Sequence, residues 1–234
     1  MGVSLMYVKL QGRSQPEDAS ISVEEFVTYL ARVSNPKNQG NHATSKRLWR
    51  YLLRKKHYSP LEMVNLVIEI VAPRDITRQI LRHRSFAFQE LSQRYTSPLE
   101  LGPEIREARL QDITNRQNSI DMPDGPESEW LREEWARRQA LVIDVAQEQY
   151  NWAINAGIAK ELARVVLPEG NTLSRVYMNG TLRSWLHYCY VRMGPETQKE
   201  HREVATKCWE IVVSIFPVLG EPEFNPQNAW KGDD

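Results

Sequence analysis

The spacing of apolar residues changes several times along the chain, and each change marks an element. Val64, Leu66, Ile68 and Ile70 alternate with the polar Asn65 and Glu69, the period of a half-buried strand. Val3–Leu10 and Leu173–Met178 predict two more strands. Ser22-Val23-Glu24-Glu25 has the form of a capping box, and Phe26, Leu30 and Val33 continue at helical spacing. Leu48, Trp49, Leu52 and Leu53 mark a second helix with Lys and Arg on its other side. A short helix from about Pro73 leads into Arg82-His83-Arg84. Glu127–Asn155 predicts a long helix with Trp135, Leu141, Val145 and Trp152 among its apolar positions, ended by Gly157. A short helix before Pro168 and two more, Thr181–Arg192 and Glu196–Phe216, complete the pattern.

Pro98–Pro126 is polar and carries a Pro-Asp-Gly-Pro turn, so it reads as a loop or variable insertion. The tail from Glu221 is polar, ends Lys-Gly-Asp-Asp and predicts disorder. With no repeat and no linker, the expectation is one α+β domain over 1–220. It has a central, mostly antiparallel sheet packed by long helices, followed by a polar tail, 221–234.

Lys plus Arg and Asp plus Glu are both 30, a net charge of zero, which argues against a general nucleic-acid binder. The two cysteines, Cys189 and Cys208, exclude a disulfide framework and suit a reducing cytoplasm. Met1–Gly12 lacks the apolar run of a signal peptide, and Ile211–Gly220 is too short to span a bilayer. The expectation is a soluble cytoplasmic protein with no membrane partner. The five histidines form no metal signature, and neither a GxGxxG nor a P-loop is present.

Against that neutral background, Leu81–Tyr95 concentrates Arg82, His83, Arg84 and Arg94 in one short segment. Such a cluster is either a solvated face or the lining of an anion site. In a helix continuing to His83, Gln79, Arg82 and His83 share a face. In an extended segment, Ser92 and Arg94 point the same way, a hydroxyl beside a guanidinium, which suits phosphate. Glu90 is an acceptor for a sugar hydroxyl. His57–Glu62 is a second polar cluster whose plainer reading is a helix-to-strand turn. Farther along, Arg183 and His187 share a helix face. Arg192 lies nine residues, or 2.5 turns, after Arg183 and points the other way. Functional cations on opposite faces fit a helix that serves two sites at a subunit interface.

Arg82-His83-Arg84, seven residues and then Ser92 resemble the signature of the flavin-dependent thymidylate synthases. The following Gln93-Arg94-Tyr95 also fits. Ala31–Pro36, His57–Glu62, Ala163–Pro168 and Leu182–Arg192 with Thr197–Glu200 occur in that family's order, so the resemblance covers about Ala31–Ala205. It implies a homotetramer with FAD in active sites shared between subunits. It also implies reductive methylation of dUMP to dTMP, with methylenetetrahydrofolate and NADPH as co-substrates. It places Gln79, Arg82, Glu90, Ser92, Arg94, Arg164 and Arg192 around dUMP. It places Ser34, His57, Ser59, Glu62, Arg82, His83, Arg84, Gln89, Arg183 and His187 around FAD. Gln89 stands where Asn is common, and Thr181 where Asn often precedes Leu-Arg.

Uracil C5 is a poor nucleophile, and no Cys lies in the signature. The resemblance implies a flavin hydride in place of an enzyme thiolate. Arg192 is the candidate catalytic residue, stabilising charge on the uracil carbonyls. Ser92 has no His-Asp relay and reads as a nucleotide ligand. A second reading, from another class, is an RNA-binding protein that stacks bases on Phe86, Phe88 and Tyr95 beside the arginines. Zero net charge argues against it.

Overall fold

The computed structural model describes residues 5–229. In chain order its elements are β1 (Tyr7–Arg13), α1 (Val23–Ala31), α2 (Ser45–Arg54), β2 (Asn65–Pro73), α3 (Arg74–Ile80) and β3 (Ala87–Glu90). They continue with β4 (Leu110–Gln111), β5 (Ser119–Ile120), α4 (Pro126–Asn155), α5 (Lys160–Ala163), β6 (Leu173–Thr181), α6 (Leu182–Arg192), α7 (Lys199–Ile215) and α8 (Pro226–Ala229). Among the described residues no helix is long and apolar enough to cross a membrane.

The main sheet has the order β1-β2-β6-β3, and β4 and β5 form a separate antiparallel pair. Bonds at the strand ends give the direction of the main sheet. The Leu182 N–H donates to the Val64 carbonyl (2.8 Å), and the Arg74 N–H donates to that of Thr172 (2.9 Å). The end of one strand therefore meets the start of the other, and β2 and β6 are antiparallel. Leu91 N–H to Arg175 O (2.8 Å) and Ser14 N–H to Asn65 O (2.9 Å) give the same sense for β3 with β6 and for β1 with β2. The expected antiparallel α+β architecture is present.

The chain folds into two compact units. The first takes the residues up to Tyr7, Ile70–Arg82 and Gln89–Val176, and the second takes Val8–Glu69, His83–Phe88 and the chain from Tyr177. In the second unit the predicted capping box is present: the Glu25 N–H donates to Ser22 Oγ, and the Ser22 N–H donates to the Glu25 carboxylate. Trp49 on α2 is fully buried. It donates its indole N–H to the Glu24 carbonyl (2.8 Å) and packs on Phe216 with ring centroids 5.8 Å apart. Phe86 packs edge-on against Trp185 of α6 at 4.8 Å. Its ring also lies against the backbone of Gly180, where a Cβ would sit 2.4 Å from Phe86 Cδ1.

In the first unit, α4 buries Gln139, Ile143, Ala146, Tyr150 and Ala153. The Gln139 amide accepts from the Arg106 N–H and donates to the Arg106 carbonyl, both at 2.8 Å. Arg106 also reaches Asp75 at 3.0 Å. The polar stretch after Pro98 is thus pinned to α4 and α3 rather than left as a free loop. Gly157 ends α4 as expected, in the left-handed conformation at φ 82°.

Several expectations are corrected. The first strand is Tyr7–Arg13, displaced toward the C-terminus from Val3–Leu10, and Val3 and Ser4 lie outside the described residues. β2 is not half-buried over its length: Glu69 through Pro73 are all buried, and Glu69 accepts a hydrogen bond from Gln11. Trp135, Leu141, Val145 and Trp152 do not face the core but are exposed. The tail is ordered through its first residues. Phe224 is buried, and Glu221 and Glu223 pair with Arg50 and Arg54 of α2. Lys231-Gly232-Asp233-Asp234 lies outside the described residues.

The Gly180 contact leads to a stability prediction. Gly180→Ala forces the half-buried Phe86 ring off Trp185, and overpacking of this kind costs about 1–3 kcal/mol. Urea unfolding should show a lower midpoint with an unchanged slope. A midpoint equal to that of the parent protein would mean that the ring moves freely.

Candidate functional site

The signature segment does not continue α3. That helix ends at Ile80, so Arg82 and His83 lie beyond it and do not share its face with Gln79. A turn follows, with the Phe86 N–H donating to the His83 carbonyl. In the second unit α6 holds this turn in place. The Ser184 hydroxyl donates to the Ser85 carbonyl (3.2 Å), and Phe86 packs on Trp185.

Near the C-terminus of α6, Arg192 Nε–H donates to His83 Nε2 at 2.9 Å. His83 Nε2 must therefore carry a lone pair, which leaves the proton on Nδ1. Burial, and after it Arg192 and His187, push the His83 pKa down to about 4, so the ring is neutral at neutral pH. Tyr188 stacks edge-on against His83, and its hydroxyl lies 3.2 Å from Nε2 of the fully buried His201. Burial holds the His201 pKa at about 3.

At its other end α6 borders a cleft of about 900 Å³. Thr181 caps the helix by accepting from the Ser184 N–H, and it donates to Glu62 at 3.1 Å. Arg183 donates to the second oxygen of Glu62 at 2.7 Å. His187, one turn on, also lines the cleft. Thr181 thus has two structural tasks, capping α6 and holding Glu62. Glu62 comes from the short 3-10 turn Ser59–Met63, so His57–Glu62 is both a turn and part of the cleft. Its neighbours His57 and Ser59 are exposed, as are Ser34 in the turn after α1 and Arg84.

In the first unit Glu90 is the centre of a polar cluster. It accepts from Ser174 at 2.9 Å, pairs with Arg78 at 3.2 Å and lies 3.6 Å from Arg74. Arg74 also feels Arg164, and burial and the neighbouring Arg78 depress its pKa. Arg94 pairs with Glu161 at 3.1 Å, and the Glu161 carbonyl accepts from Arg164. Arg94 and Arg164 are therefore linked through Glu161. Gln79, Arg82, Gln89 and Ser92 belong to the same unit, and Arg192 belongs to the other. Ser92 and Arg94 are not in an extended segment. The Tyr95 and Thr96 N–H groups donate to the Ser92 carbonyl, which closes a turn, and Ser92 Oγ accepts from the Arg94 N–H.

Arg74 and Arg78 were missed in the sequence, although their i, i+4 spacing on α3 was available as a signal. His201 was missed as well, because a buried histidine on an apolar face gives no pattern of its own. Phe86 is half-buried, with its ring edge-on to Trp185 and against the Gly180 backbone.

The family profile described as thymidylate synthase complementing protein matches residues 18–218. A protein of Paramecium bursaria Chlorella virus 1, named probable flavin-dependent thymidylate synthase, is 42% identical over 217 residues, which cover 92% of this chain and 98% of that one. A flavin-dependent thymidylate synthase of Synechocystis sp. is 44% identical over 199 residues, 85% of this chain and 88% of that one. Among solved structures, the UMP/dUMP methylase PolB from Streptomyces cacaoi bound with 5-Br dUMP has a TM-score of 0.76 at 26% identity, covering 94% of each chain.

The half-buried His83 and the buried His201 predict an acid-sensitive fold. Their folded pKa values, about 4 and about 3, lie below the ordinary histidine value of 6.5, so the unfolded chain binds protons that the folded chain does not. This stability is fully present above pH 6.5 and is lost as pH falls through about 4 for His83 and about 3 for His201. The urea midpoint should drop over that range. His201→Gln, which cannot take up the proton, should flatten part of the drop. An unchanged pH dependence in that variant would mean that His201 ionises freely in the folded protein.

Proposed function

Because the chain belongs to the thymidylate synthase complementing protein family, the flavin-dependent thymidylate synthases, we propose that it converts dUMP to dTMP by reductive methylation. In this reading FAD is the cofactor, methylenetetrahydrofolate the carbon donor and NADPH the reductant. The observation that carries it is the pairing of α6 with the signature turn: one helix presents Arg183 to a large cleft and Arg192 to His83.

The residues of the cleft suit a dinucleotide. Its volume of about 900 Å³ lies at the upper end of the range for small-molecule sites. Arg183 and Lys56 supply positive charge, while Leu53, Leu186 and Phe224 supply apolar surface for a ring. Glu62, Arg183 and His187 would hold FAD, with Ser34, His57, Ser59, His83, Arg84, Arg82 and Gln89 as the family resemblance assigns them. When bound, FAD supplies the hydride that lets the reaction dispense with an enzyme thiolate.

For dUMP, the proposed ligands are Gln79, Arg82, Glu90, Ser92, Arg94, Arg164 and Arg192. Glu90 is held by Arg74, Arg78 and Ser174, and a carboxylate has acceptor capacity left for a sugar hydroxyl. Arg94 is tied to Glu161 by an exposed ion pair, which is a weak interaction. A nucleotide phosphate can displace that carboxylate, because a dianion offers a stronger partner to the guanidinium fork. Arg192 donates its Nε–H to a neutral histidine, so its charge is not neutralised there and is available to a uracil oxygen.

The reading includes a homotetramer. Trp130 and Trp152 on α4 are each 62% exposed, with Leu141, Val142 and Val145 exposed on the same helix. That much apolar surface suits burial against further copies of the chain.

Cys189 and Cys208 are fully buried, and burial raises both thiol pKa values. Neither is a ready nucleophile. The test is dTMP formation from dUMP by FAD-loaded protein, for the parent and for Cys189→Ala/Cys208→Ala. Both should form dTMP at rates within about a factor of three, since small apolar-like Cys sites tolerate Ala at modest cost. A folded, yellow double variant without activity would overturn the thiol-free mechanism, and an inactive parent holding FAD would overturn the function.

A further inference from the structure

The family profile stops at residue 218, yet the α6 cleft is also lined by residues beyond that point, Leu219, Glu223 and Phe224. We propose that the segment Leu219–Phe224 is a built wall of this cleft and sets how tightly the cleft holds a ring-bearing nucleotide cofactor. The inference rests on the reading of the cleft as the FAD site and adds to it an element that no family motif supplies.

Three kinds of contact hold the segment. Phe224 is buried, 7% exposed, and its carbonyl accepts from the Tyr190 hydroxyl of α6 at 2.8 Å. Leu219 is fully buried. Two guanidinium forks of α2 then take two carboxylates of the segment: Arg50 reaches Glu221 at 2.8 and 2.7 Å, and Arg54 reaches Glu223 at 3.0 and 2.7 Å.

These contacts do different work. The ion pairs are at least partly exposed to solvent, so they add little to global stability. Their paired geometry instead fixes register, because each fork donates two bonds to its carboxylate in one orientation. Arg50 and Arg54 are i, i+4 on α2, and Glu221 and Glu223 are two apart, so both pairs close together only when the segment lies along α2 in one alignment. That alignment places Leu219 and Phe224 at the cleft. With Leu53 and Leu186 they form apolar lining beside the polar Glu62, Thr181 and Arg183. An apolar surface next to a rim where Arg54, Lys56 and Arg183 stand against Glu62 and Glu223 can take a flat ring carrying an anionic tail. A displaced segment would leave Leu53 and Leu186 facing water, and the ring would lose one desolvating surface.

The pair Arg50–Glu221 gives a clean test, because neither residue lines the cleft. FAD affinity is measured by flavin fluorescence on the full chain for the parent, Arg50→Glu, Glu221→Arg, the double reversal and Phe224→Ala. We expect each single reversal and Phe224→Ala to weaken FAD by about tenfold, and the double reversal to restore affinity to within about threefold. Melting temperatures of the reversal variants should change little, which separates loss of the wall from loss of the fold. If Phe224→Ala does not fold, the reversal set decides alone. Single reversals that bind FAD like the parent, or a double reversal as weak as the singles, would overturn the wall. A parent protein that binds no FAD would instead overturn the reading of the cleft.

Discussion

The Phe86 ring rests on bare backbone at Gly180 and against Trp185, and the candidate cofactor site depends on that contact. Phe86 closes the Arg82-His83-Arg84 turn, while Gly180 is the residue before the cap of α6. Their close approach sets the turn against the helix. From there each step follows by chain geometry: Thr181 caps α6 and grips Glu62, Arg183 emerges at the cleft, and nine residues later Arg192 reaches His83. A side chain at position 180 would separate the turn from the helix, and with it the histidine from the arginine.

Ionisation around α6 leaves its arginines charged and His83, His201 and both cysteines neutral. His83 and His201 are neutral through burial, and both cysteines are protonated for the same reason. The permanent charges along α6 are the guanidinium groups of Arg183 and Arg192, with Glu62 paired to Arg183. Guanidinium groups can bind anions and polarise carbonyls. That suits chemistry in which a cofactor carries the reactive hydride and the protein supplies positioning and electrostatics.

Much of this was legible in the sequence because the signals were local. The capping box at Ser22, the long helix ended by Gly157, and the i, i+4 and i, i+9 relations of Arg183, His187 and Arg192 all depend on spacing alone. The errors occurred where partners come from far along the chain. Glu69 reads as the solvent face of a strand, but it is buried and accepts from Gln11 on the neighbouring strand. Glu221 and Glu223 read as a disordered tail because the arginines that take them lie about 170 residues earlier. Arg82 and His83 read as helical because helix-forming residues surround them, and nothing in the local pattern marks the stop at Ile80. The exposed tryptophans of α4 satisfy an apolar period without facing this chain's core.

The central claim is that the two ends of α6 serve different ligands. It is tested most directly by measuring FAD affinity and dTMP turnover side by side for Arg183→Ala and Arg192→Ala. The account predicts that Arg183→Ala weakens FAD, whereas Arg192→Ala keeps FAD bound and lowers turnover about a hundredfold or more, as loss of one electrostatic stabiliser does. Arg192→Ala protein that turns over normally, or that loses flavin as readily as Arg183→Ala, would contradict it.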